Sequence, residues 1–156
     1  MNSVGWISSK PAWRLLGLRF VPIFALLSGL WEAAQLPFYT VWSEAGAGDI
    51  AFAVAHCTLG DVLIGMSALL LALILTRSGA PKTWNRPALI AITTVIGAGY
   101  TISSEWMNTR WLDAWAYSSW MPTLPLTGTG LTPLLQWLVL PGAGLVLALR
   151  GARRVC

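Results

Sequence analysis

Three carboxylates, Glu32, Asp61 and Glu105, lie inside long apolar runs with no Lys or Arg at comparable depth. A charged side chain in a membrane-spanning helix costs a few kcal/mol or more, so such acids mark functional sites by default. Without a cationic partner, burial favours the neutral, proton-bearing form. A proton-bearing carboxyl beside aromatic rings can protonate an apolar substrate, and a second carboxyl can remove a proton elsewhere. Glu32, Glu105 and the His56/Asp61 pair are therefore the candidate catalytic groups. His56, if protonated, is the one cation near enough in sequence to serve these acids.

Other polar residues keep helical spacing with the acids. Glu32 and Gln35 are i,i+3 neighbours, Cys57 and Asp61 are i,i+4, and Thr101, Glu105 and Asn108 form one stripe. Lipid cannot satisfy such stripes, so they must face the bundle interior or a watery cavity. Gln35, Asn108 and Gln136 could equally tie helices together by hydrogen bonds, and a lone His56 is more often a hydrogen-bonded core residue than a ligand. Nucleophilic catalysis is weakly signalled, because adjacent His56 and Cys57 diverge on a helix. Glu32, His56, Asp61 and Glu105 could ligate a hard or borderline ion, but their spacing matches no ligand motif. No metal or other cofactor is expected.

The elements that must position these groups follow from composition. The chain has 156 residues, is 56% hydrophobic and only 10% charged, against about 25% charged in soluble domains. The sequence predicts an all-α polytopic membrane protein: a four-transmembrane-helix bundle in a single domain over residues 1–156. The predicted spans are 18–41, 50–75, 87–107 and 131–149, each near the ~20 residues that cross a bilayer. A Trp-, Pro- and Gly-rich connection covers 108–130. The first apolar run resembles a signal peptide in its basic flank, but it is too long and, with Glu32 and Gln35, too polar to be one. Cys57 and Cys156 fall at opposite depths and are expected to be free thiols.

The net charge of +4 does not point to nucleic acid, since the positive residues form no stripe that could track phosphates. Nine of the ten Lys and Arg residues flank one side of the spans, with Arg110 the exception. The positive-inside rule then puts both termini in the cytoplasm. Trp42, Trp106, Trp111 and Trp115 are expected in an outer aromatic belt, with Trp13 and Trp84 at the inner face. Helix rise places Glu32 roughly 21 Å above the inner boundary, and His56 and Asp61 roughly 9 and 16 Å below the outer one. The polar groups thus collect in the outer half, where four helices are expected to share one pocket. The inner half of each span is almost wholly apolar.

Three stretches carry a family resemblance. Trp31 to Tyr39 reads W-E-A-A-Q-L-P-F-Y, Gly99 to Glu105 reads G-Y-T-I-S-S-E, and Gln136 to Gly142 reads Q-W-L-V-L-P-G. The chain resembles the EXPERA family, which includes emopamil-binding-protein-like sterol isomerases and sigma-2-type members. The first stretch is similar to the sigma-2-type E-x-x-Q-L-P-F helix. The other two look like isomerase helices, one ending in a catalytic Glu and one carrying an amide, a Trp and then V-L-P-G. The resemblance implies a lipid-accessible pocket with Glu32 and Glu105 as acid and base, and Gln136 and Trp137 stabilising a carbocation, Trp137 through cation–π attraction. The chain departs from the isomerases in lacking their extra span. It also differs in its His56-to-Asp61 segment and in joining signatures from different branches.

The substrate-binding candidates are Gln35, Trp31, Tyr100, Asn108, Gln136 and Trp137. The expected partners are membrane lipids and an apolar, lipid-like small molecule, with a homodimer possible. The expected activity is isomerisation or cyclisation by carboxylate proton transfer on a lipid- or isoprenoid-like substrate. A proton- or cation-coupled transporter, a lipid-binding protein and an assembly subunit of a larger membrane complex are the alternatives.

Overall fold

In the computed structural model, which describes residues 5–152 (side chains to Arg150), four long helices form the protein. Arg153, Arg154 and Cys156, two of the expected cytoplasmic charges and one of the two thiols, lie outside the described residues. The four spans are Lys10–Phe38, Ala47–Leu75, Arg86–Arg110 and Leu131–Arg150, the last continuing as helix to Ala152. Each is long and apolar enough to cross a membrane. The first packs on the second, the second on the third, the third on the fourth, and the fourth closes back onto the first. The start of the first span also touches the fourth, so both ends of the helical domain lie at one end of the bundle.

The first span begins eight residues before its predicted start at 18. Ser9 caps it, its hydroxyl accepting from the Ala12 amide at 3.3 Å, and Pro11 occupies the first turn, where a missing N–H costs nothing. Arg14 and Arg19 lower the hydropathy of this stretch without interrupting its backbone. Further along, the Pro22 ring displaces the carbonyl four residues earlier and offers no N–H. The helix responds with a π-turn over Leu16–Phe20, in which the Val21 amide donates to the Leu16 carbonyl. Pro37 then ends the span in a 3-10 turn, three residues short of the predicted end at 41. Asn85 caps the third span by accepting from the Ala88 amide at 3.3 Å. That span runs on to Arg110, three residues past the predicted end at 107.

The end of the bundle that holds the termini is filled by apolar side chains, among them Leu15, Leu16, Phe20, Leu69, Leu73, Leu89, Leu145 and Leu149. Above them, Phe20 stacks on Phe24 at 5.2 Å, and Phe24 meets the Trp137 ring at 6.1 Å. Glycines admit these rings. A Cβ on Gly97 would overlap the Trp137 indole, and one on Gly65 would lie 2.6 Å from Phe24. Trp84 departs from the expected inner belt: it is buried and donates its indole N–H to the Gly79 carbonyl at 3.0 Å. Trp13, Trp42, Trp106 and Trp111 are exposed, as anchoring residues need to be.

The 111–130 connection is tied to the end of the first span. Thr40 N donates to Ala116 O at 3.0 Å and Ser118 N to Phe38 O at 2.9 Å, around an antiparallel bridge between Tyr39 and Tyr117. The connection folds back on itself through Leu124 N to Thr129 O and Leu131 N to Pro122 O. Its turn at Gly128 has φ +69° and lies against the Arg110 guanidinium. A side chain there would be strained by the backbone angle and would also strike Arg110.

Candidate functional site

The spans enclose a cavity of about 580 Å³, lined from all four helices and by Ala114 and Trp115 of the connection. Thr40, Val41, Glu44 and Ala45 line one end of it, so it lies toward the end of the bundle away from the termini. Glu32, Gln35, Cys57, Asp61, Thr101, Glu105, Gln136 and Trp137 all contribute to the wall. No Lys or Arg does.

Glu32 and Gln35 share a face of the first span, where Pro37 has not yet broken the helix. Gln35 donates its amide N–H to Glu32 Oε1 at 2.9 Å. On the second span, the Asp61 carboxyl lines the same cavity wall as Glu32. Asp61 also accepts from the Gln136 amide of the fourth span. Two amide–carboxyl pairs, one within the first span and one between the second and fourth, thus share one cavity wall. The Gln35 Oε1 atom is buried without a partner.

Glu105 faces the same cavity from the third span and is held by phenols. Tyr39 donates to Oε1 at 3.4 Å and Tyr117 donates to Oε2. The Tyr117 hydroxyl in turn accepts from the Gly130 amide at 2.9 Å. Burial and the neighbouring Glu105 carboxyl both push the Tyr117 phenol above its ordinary range, so it remains a donor. Trp115 turns inward rather than joining the outer belt, and its indole N–H is buried beside Glu105 without a bond of ordinary geometry. Sequence reasoning did not reach Tyr39, Tyr117 or Trp115 as site residues. They sit beyond Pro37 or in the 111–130 connection, where helical periodicity gives no signal.

Other expected members stand apart. His56 lines the cavity rim but is exposed and stacks on Phe52 at 5.6 Å. Five residues on a helix separate it from Asp61 by about 140° of rotation, and the two do not pair. Asn108 turns back onto its own helix, donating to the Ser104 carbonyl at 2.8 Å and hydroxyl at 3.2 Å. Trp31 donates to the Thr132 carbonyl at 3.2 Å and lies outside the cavity lining, so it fastens the first span to the fourth. Tyr100 lines the cavity from a half-exposed position. Among the described residues, no three His, Cys, Asp or Glu side chains converge to hold a metal ion. In comparisons with protein-family models, curated proteins and solved structures, none matches this chain.

Proposed function

We propose that this protein is an integral membrane enzyme that moves a proton on an apolar, alkene-bearing substrate of lipid or isoprenoid type, as an isomerase or cyclase. The observation that carries the reading is that Glu32, Asp61 and Glu105 line one cavity to which, among the described residues, no Lys or Arg contributes. In this reading a proton held by Glu32 or Asp61 passes to an alkene carbon. The alkene electrons form the new C–H bond and leave a cation on the neighbouring carbon. Glu105 then takes a proton from an adjacent carbon, and those C–H electrons close the new double bond. Trp137, buried beside the cavity, offers its ring face to the cation. Gln35 and Gln136 hold the acid pair in place.

The resemblance to EXPERA isomerases supports the same assignment of Glu32, Glu105, Gln136 and Trp137. The basic end of the bundle is read as cytoplasmic on the positive-inside rule. A transporter is less well supported, since Phe20, Phe24, Trp137 and the leucines beyond them fill the path toward that end. The test is expression in D₂O with mass spectrometry of extracted lipids. The wild type is expected to yield one product carrying deuterium at a non-exchangeable carbon. Glu32→Gln, Asp61→Asn and Glu105→Gln should each lose that product by about 10²–10⁴-fold. Normally folded variants with unchanged lipid profiles would end the enzyme reading.

A further inference from the structure

A second, smaller hollow of about 320 Å³ lies between the second and third spans, lined by Leu63, Ile64, Ser67, Ala68, Leu71, Ile96 and Tyr100. Ile64 and Tyr100 belong to the walls of both this hollow and the acid cavity. Leu63, Leu71 and Tyr100 are substantially exposed on the face that meets lipid in a bilayer. From Ile64 to Leu71 the hollow follows one helix for seven residues, roughly 10 Å. Ser67 is its one hydroxyl apart from Tyr100.

We infer that the groove between the second and third spans holds the tail of a linear, chain-bearing substrate whose reacting head occupies the acid cavity, with Ile64 and Tyr100 as the threshold between them. This rests on the proton-transfer reading of the cavity and narrows its substrate class to an unbranched or isoprenoid chain rather than a compact polycyclic body. Two wall residues are common to the polar and apolar compartments, which suits a molecule with a polar or unsaturated head and an apolar tail. A groove of about 10 Å takes roughly the far half of a fifteen-carbon chain, taking the helix rise as the ruler.

The test uses two photoreactive forms of a linear fifteen-carbon isoprenoid alcohol, one with a diazirine beside the head and one with it at the tail end. Each is added to the full-length protein in nanodiscs, with and without excess unlabelled alcohol, and crosslinks are mapped by peptide mass spectrometry. The head-end probe should label cavity residues such as Tyr39 or Gln136. The tail-end probe should label Leu63, Ser67 or Leu71 at least fivefold over the lipid-facing controls Leu26 and Val139, and excess alcohol should abolish the difference. Ser67→Trp fills the groove from an exposed position and should cut tail labelling several-fold while leaving the fold intact by circular dichroism. Head labelling in the cavity with tail labelling no higher than at Leu26 and Val139 overturns the groove and leaves the cavity reading standing. Failure of the head-end probe to label the cavity removes both.

Discussion

Glu32 and Asp61 each accept a hydrogen bond from a glutamine amide, Gln35 and Gln136 respectively, and this makes them sensitive to conservative change. Gln136→Leu removes the donor to Asp61 at nearly constant volume, and under the proton-transfer reading turnover should fall at least tenfold while thermal stability changes little. Assay of the deuterated product beside a melting curve checks both halves. Gly97→Ala acts in the opposite manner, because its Cβ would occupy the space of the Trp137 ring. Overpacking of this kind costs about 1–3 kcal/mol, so a lowered melting temperature and altered tryptophan emission are expected together. At this scale the sequence was a good guide wherever depth alone mattered: Glu32, Gln35, Asp61, Glu105 and Gln136 all reach the cavity. It was a poor guide to azimuth. Asn108 lies at suitable depth but turns back onto its own helix, and His56 reaches only the exposed rim. Nothing in one helix's spacing reveals which side its neighbours occupy.

Among the elements, the 111–130 connection does the most that the sequence hid. Its contacts with the first span are backbone pairings between residues about eighty positions apart. Such pairings leave no periodic trace, so Tyr117 could not be placed on Glu105 from composition or spacing. Tyr117 joins the connection to the acid and to Gly130 at once. Tyr117→Phe should therefore loosen the segment, with faster amide exchange over 111–130, and under the proton-transfer reading it should also lower activity by weakening Glu105. Gly128→Ala should speed exchange around the turn, from positive φ and the Arg110 contact, while the cavity acids keep their partners. The four spans themselves were legible because apolar runs of about twenty residues have few other uses. Their ends were less so. Capping by Ser9 and the turn at Pro37 are local chemistry that a hydropathy window averages away.

For the whole molecule, the ring of four helices puts Lys10, Arg14, Arg77, Lys82, Arg86 and Arg150 at one end and the cavity mouth with Glu44 at the other. Reporter fusions at the two termini should both be active only in their cytoplasmic forms. Moving three or more of these charges to the 43–49 connection should invert or mix the orientation. The aromatic floor of Phe20, Phe24 and Trp137 carries a further implication. Under the proton-transfer reading, a site walled off from one compartment takes up and gives back its protons through the other, so its cycle is expected to be electroneutral across the bilayer. A proton crossing the full membrane would couple to the potential by about 2.3 kcal/mol per 100 mV, whereas one that enters and leaves by the same mouth couples hardly at all. Turnover in vesicles clamped with potassium and valinomycin is thus expected to be flat with voltage.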